Sequence, residues 1–219
     1  MTNEKTGEKP LPQNDTGGFT VPPEFRFVEE GKPYRYYLGD LGFPSPTSLI
    51  KEFGLIDDRF FKEFHANRGR AVHKAIQYDN EGVLDESNLD PRIAPHVEAF
   101  RKFKRENLFE PIARLAERPL FSRVYAFGVT PDCPGFLGKD HTPAVVEIKS
   151  GVTEHWTFAL QTAAQQIALF EMANFSPVVR VVVQTRSDGS YKLKYHDGIG
   201  DRDEFLALVR VHWLKRRKK

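Results

Sequence analysis

At 219 residues the chain is long enough for one domain with a full core and short for two. Hydrophobic residues make up 40% and charged residues 28%, and a net charge of +2 excludes a global basic field, so any surface for a polyanion must be local. A single cysteine, Cys133, excludes an internal disulfide and any all-cysteine zinc or iron-sulfur site; no apolar run approaches a membrane span and no charged-then-apolar signal opens the chain, so the cytosol is the expected compartment.

Residues 1–23 are rich in Pro, Gly, Asn, Thr and Lys and poor in large apolar groups, a composition that predicts disorder. One domain is expected over 24–214, followed by a basic tail at 215–219. From Phe25 to Leu38 aromatic residues recur in an extended pattern, predicting a hairpin around Gly31-Lys32. Pro44-Ser45-Pro46-Thr47 introduces a short helix, Ser48 to Phe53, that Gly54 stops. A longer helix is expected from Asp57 or Asp58 to about Tyr78, with Gly69 and His73 one turn apart on one face. The glycine leaves room for another backbone or a ligand to approach the ring, although a lone helical histidine is most often a surface or half-buried residue. Asp90-Pro91 supplies an N-cap and a first-position proline for a helix whose Ile93, Val97, Phe100 and Phe103 form an apolar stripe ending near Asn107.

The sheet is expected to begin near Ala113, with Arg114 to Arg123 a strand interrupted by Glu117, and Val124 to Val129 the next strand or approach. Pro134 lacks a ladder donor, so a strand after Asp132 should lie at an edge or start later, near Phe136. The Val and Ile run from Ala144, closed by Ser150-Gly151, reads as a buried strand in which Glu147 and Lys149 share one face and Ile148 points to the other. With Asp132 at the end of a preceding strand and a return through the Gly135 and Gly138 region, a second carboxylate would stand beside Glu147, and two carboxylates can hold a hard cation such as Mg²⁺. An isolated Glu-x-Lys triplet is far more often an ion pair on the wet face of a partly solvated strand.

Trp156 to about Asn174 reads as a helix with an inward stripe of Leu160, Ala163, Ala164, Ile167 and Phe170, and with Gln161 and Gln165 on another face. His155 and Trp156 before it either approach nucleic acid or cap and pack the helix. Val178 to Thr185 and Tyr191 to Tyr195 are strands joined by the turn Ser187-Asp188-Gly189-Ser190. A last helix from Asp201 or Asp203 packs Phe205, Leu208, Val209 and Trp213 and runs into Lys215, Arg216, Arg217, Lys218 and Lys219. That basic run either holds a phosphate backbone or completes the helix dipole as a solvated tail.

Pro131-Asp132, a gap of fourteen residues and Glu147-Ile148-Lys149 together resemble the PD-(D/E)XK nuclease superfamily, in particular its RecB-like and phage-type exonuclease branch. Arg68-Gly69-Arg70-Ala71-Val72-His73 is similar to that branch's RG-x-x-x-H helix, and Gly128-Val129-Thr130-Pro131-Asp132 to its G-T-x-D turn. Leu49-Ile50 match the end of its opening helix motif, and Gln161 stands where its Q-x-x-x-Y helix belongs, with Gln165 in the tyrosine position. The resemblance implies an α/β, restriction-endonuclease-like fold with a central mixed β-sheet flanked by helices. It implies hydrolysis of DNA phosphodiesters with Mg²⁺ or Mn²⁺, by an exonuclease sooner than an endonuclease, in recombination, repair or replication. Linear or single-stranded DNA is the implied partner, alongside a homo-oligomer or a recombination protein, and no membrane. Asp132, Glu147 and the Ile148 carbonyl would hold the ion, with His73 and Glu117 as further ligands; Lys149 would act on the water, and Gln161 would position the lysine, the water or the phosphate. Some members carry a four-cysteine cluster, which one cysteine cannot build, so no iron-sulfur cluster is expected. A decayed nuclease fold serving as a DNA-binding or assembly protein is the alternative, and the presence of Asp132, Glu147 and Lys149 argues against it.

Overall fold

In the computed structural model the elements follow one another as β1 Phe25–Phe27, β2 Tyr36–Leu38, β3 Leu41–Phe43, α1 Pro46–Glu52, α2 Glu63–Asn80, α3 Ala94–Asn107, β4 Glu110–Pro111, β5 Leu120–Ser122, β6 Phe127–Val129, β7 Cys133–Leu137, β8 Thr142–Lys149, α4 Phe158–Ala173, β9 Val179–Thr185, β10 Tyr191–Tyr195 and α5 Asp201–Arg216. The structure describes residues 22–28, 35–56, 63–151 and 154–217. The expected disorder before residue 22, the turn at Gly31-Lys32, the helix start at Asp57 or Asp58, and Lys218 and Lys219 lie outside them.

The central sheet runs β10-β9-β8-β7-β4, and only the β8–β9 pair is parallel. A parallel neighbour requires a crossover, and α4 supplies it. Alternation along β8 sends Val145 into a core with Leu160, Ala164, Ile167 and Phe205 of α4 and α5, while Val146 and Ile148 enter a second core with Val72, Ile76, Val97, Phe100 and Phe103 of α2 and α3. The protein is therefore α/β, with a central mixed sheet covered by helices on both faces. Among the described residues no helix is long and apolar enough to cross a membrane.

Local chemistry accounts for most element ends. Ser45 caps α1 by accepting from the Ser48 amide at 3.1 Å, and Gly54 ends it at φ +65°. Asp90 does not start α3 directly. Its carbonyl accepts from the Ile93 and Ala94 amides, forming a turn, and the helix begins at Ala94. Of the stripe expected on α4, Phe170 is exposed. The helix is buried from Ala159 through Leu169 except at Gln166, and Phe170, one turn beyond Gln166, lies on that outward face.

Three expectations about strands are corrected. Arg114 to Arg123 is not one strand: the sheet already begins at Glu110, residues Ala113–Leu115 form a 3₁₀ turn, and only Leu120–Ser122 is extended. Val124 does not open a strand either. Ala126 sits at φ +58° in the turn between β5 and β6, which among the described residues form a two-stranded sheet of their own. Pro134 lies inside β7, between β8 and β4. Its carbonyl accepts from the Ile112 amide at 2.8 Å, so its missing N–H faces the side where two-residue β4 has already ended, and the ladder to β8 loses nothing.

The strands β1–β3 form a separate antiparallel sheet, which meets the central body at Gly128. A Cβ at that position would stand 2.2 Å from the Tyr36 ring. Glycine here is what allows Tyr36 to lie flat on β6 and place its hydroxyl 2.9 Å from Thr130 Oγ1, two residues before Asp132.

Candidate active site

The register of β7 against β8 pairs Cys133 with Val146, so Asp132, just before β7, stands next to Glu147 and Ile148. Asp132 Oδ2 accepts from the Ile148 amide at 2.7 Å. Glu147 and Lys149 point to the α4 side of the sheet, as alternation demands. There Lys149 Nζ donates to Glu147 Oε1 and, at 3.0 Å, to Gln161 Oε1, and it lies 4.9 Å from the centre of the Phe158 ring. Gln165 Nε2 donates to the other oxygen of Glu147. Gln161 and Gln165, one turn apart, thus hold the lysine and the glutamate respectively.

His73 reaches the same place from α2. Its Nε2–H donates to the Ile148 carbonyl at 3.0 Å, which aims Nδ1 at two carboxylates: Glu117 Oε1 at 3.1 Å and Asp132 Oδ1 at 3.5 Å. Glu117 arrives from a turn, at φ +53°, with its amide donating to the Pro131 carbonyl at 2.8 Å. A Cβ on Gly69 would meet nothing nearer than Ser150 Oγ at 3.9 Å, so the glycine is not demanded by a close backbone approach. Arg68, its neighbour, donates to the Ser150 carbonyl at 3.1 Å and ties α2 to the end of β8.

Crowding of charge sets the protonation states. Burial opposes a charge on His73, yet the Asp132 and Glu117 carboxylates outweigh it and push the imidazole up to about 9. Burial, then the Glu147 charge, raises Asp132 far above the usual carboxylate range. Burial alone would raise Glu147 too, but the Lys149 ammonium reverses the direction and holds it low. Lys149 is raised, since Glu147 and Asp132 outweigh its own desolvation. The floor therefore carries one firm ion pair, Glu147–Lys149, beside His73, whose Nδ1 faces Asp132 and Glu117.

No family model and no curated protein matches the chain. Among solved structures it is similar to a "putative exonuclease" from Eubacterium rectale, at 10% identity and a TM-score of 0.45 over 80% of this chain and 73% of that one. At that level of similarity the site's own geometry carries the functional reading.

Donor chemistry fits a hard divalent cation. Ligand atoms of His73, Glu117 and Asp132 lie within 4.8 Å of one another, close to the span across an ion with bonds of about 2.1 Å. Two carboxylates and one imidazole suit Mg²⁺ and, with the nitrogen, Mn²⁺. Glu147 is less available, because both its oxygens are engaged by Lys149 and Gln165, and the Ile148 carbonyl has one lone pair committed to His73. Residues 215–217 of the basic run end up elsewhere: Lys215 sits 3.4 Å from Glu52 and over the Phe53 ring at 5.0 Å, and none of the three lines the cleft above the carboxylates. His155 hydrogen-bonds Thr157 at the start of α4, a capping contact, while Trp156 is exposed.

Sequence reading missed the cleft itself, about 800 Å³ in volume, which gathers residues from β1–β3, α1, α2 and α4. The signal on α2 was present, since Arg70, His73, Lys74 and Gln77 fall at i, i+3, i+4 and i+7 on one face. No comparable signal marks Arg35 on the opposite wall.

Proposed function

We propose that this protein is a metal-dependent nuclease of the PD-(D/E)XK type that hydrolyses DNA phosphodiester bonds, preferring DNA with free ends. The observation that supports it most is the meeting of Asp132, Glu147, Lys149 and His73, from three separate elements, on the floor of one open cleft. His73, Asp132 and Glu117 would hold Mg²⁺ or Mn²⁺, with the Ile148 carbonyl and Glu147 beside them. When bound, the ion supplies an acidified water and neutralises charge on the phosphoryl oxygens. Lys149 spends two of its three N–H donors on Glu147 and Gln161, leaving the third for the attacking water or for the negative charge that develops on the phosphate. Gln165 keeps Glu147 turned toward the lysine, and Gln161 keeps the lysine over the cleft.

Incubation with linear, closed circular and single-stranded DNA, in Mg²⁺, in Mn²⁺ and in EDTA, tests this reading. Loss of linear substrate that EDTA abolishes is the expected result. No cleavage of any substrate with either ion refutes the nuclease, and nicking of circles as fast as linear DNA is digested refutes the preference for ends.

A further inference from the structure

Above its acidic floor the cleft has walls of opposite charge. Arg70 and Lys74 stand one turn apart on α2 with His73 between them, and Arg35, just before β2, faces the same space. All three are exposed, and among the described residues all three are held by neutral partners. Arg35 Nε donates to the Val28 carbonyl at 3.3 Å and its guanidinium lies 4.7 Å from the Phe27 ring centre. Arg70 donates to Asn67 Oδ1, while Lys74 donates to Gln77 Oε1 at 3.3 Å and sits 4.6 Å from the Tyr78 ring centre. Arg101 and Lys104, by contrast, are neutralised by Asp79, and Arg180 by Asp201. A neutral hydrogen bond orients a side chain without cancelling its charge, so the three cleft cations are pre-positioned for an anion.

The anion must be extended and must enter the cleft. Asp132 and Glu147 are only 8% and 4% exposed, so a phosphodiester reaches them only by passing between the walls. The cleft, about 800 Å³ in volume, is open along its length, so an extended phosphodiester backbone can lie in it over the carboxylates. We infer that Arg35, Arg70 and Lys74 form a phosphate-binding wall that holds the backbone of one nucleic-acid strand across the acidic floor, independent of base sequence. This rests on the nuclease reading and assigns the backbone contacts in the cleft to these three residues.

Binding of a fluorescent single-stranded oligothymidylate, followed by anisotropy in EDTA so that the strand stays intact, separates the possibilities. Each phosphate contact on a single strand adds about 0.7 to the dependence of log affinity on log salt, so R35Q/R70Q/K74Q should flatten the slope by about 2. Between about 50 and 200 mM salt the parent should then weaken about 20-fold more than the variant. If the triple variant melts early, each single variant should flatten the slope by about 0.7. A parent that degrades DNA while the variants keep its salt slope overturns the wall alone. A parent that neither binds nor cleaves any strand overturns the wall together with the nuclease reading. Tighter binding of blunt duplex than of the single strand overturns the one-strand assignment.

Discussion

Lys149→Met should cost stability as well as turnover, and the cost should depend on pH in a set direction. The substitution leaves Glu147, which has only 6% of its side chain exposed, with Gln165 as its remaining partner. Removing one member of a buried pair costs roughly 3–5 kcal/mol. Because Lys149 itself keeps 24% of its side chain exposed, the low end, about 3 kcal/mol, is expected. In the parent, Glu147 is held below its unfolded value, chiefly by the lysine acting against burial, so its contribution is present above the unfolded pKa and fades as pH falls through the folded one. In the variant, burial prevails and the folded pKa rises, so the penalty appears as pH climbs above the unfolded value of about 4.3. The first effect is already complete above about pH 4.3, so the second makes the deficit larger at about pH 8 than at about pH 5. Urea unfolding in EDTA at the two pH values measures it. In E147Q/K149M, where no buried charge is left unpaired, stability should return to within about 1 kcal/mol of the parent, giving a coupling of about 3 kcal/mol. A double variant that loses the sum of the two single losses, or a deficit equal at both pH values, would falsify the buried-pair account.

Three further outcomes follow from the same geometry. Asp132→Asn should weaken Mn²⁺ binding and recover some cleavage in excess Mn²⁺, whereas Lys149→Met should bind Mn²⁺ at least as well as the parent and cleave nothing; calorimetric titration beside a digestion assay distinguishes loss of the ion from loss of the lysine. With His73 raised to about 9 and Asp132 raised as well, protons occupy the cation's place at neutral pH, so Mn²⁺ affinity should climb by up to about tenfold per pH unit for each proton displaced. Titration in two buffers of different ionisation heat counts those protons, and a pH-independent affinity with no proton release would place the ion elsewhere. Gly128→Ala forces the Tyr36 ring, which a Cβ would approach to 2.2 Å, off β6 and away from Thr130; a loss of about 2 kcal/mol, or about 4–8 °C in melting temperature, is expected, and an unchanged melt would refute the close approach.

What the chain could determine by itself is what short-range rules govern. Period-two alternation placed Glu147 and Lys149 on one face of β8 and Ile148 in the opposite core, and the Ser45 cap, the α3 stripe and the Ser187–Ser190 turn are each decided within a few residues. Asp132 and Glu147 belong to the ends of adjacent strands, so their meeting too was within reach of a sequence pattern. Folding alone decided the rest. His73 lies 75 residues from the carbonyl that orients it, and Glu117 enters the cluster from a left-handed turn fixed by the Pro131 carbonyl rather than from a strand, a conformation that no local propensity of glutamate favours. Gln165 becomes a partner of Glu147 only because α4 is buried on nearly every side. Pro134 could sit inside the sheet because its ring faces the end of a two-residue strand, a relation between chain segments that the proline's own neighbours in sequence do not encode.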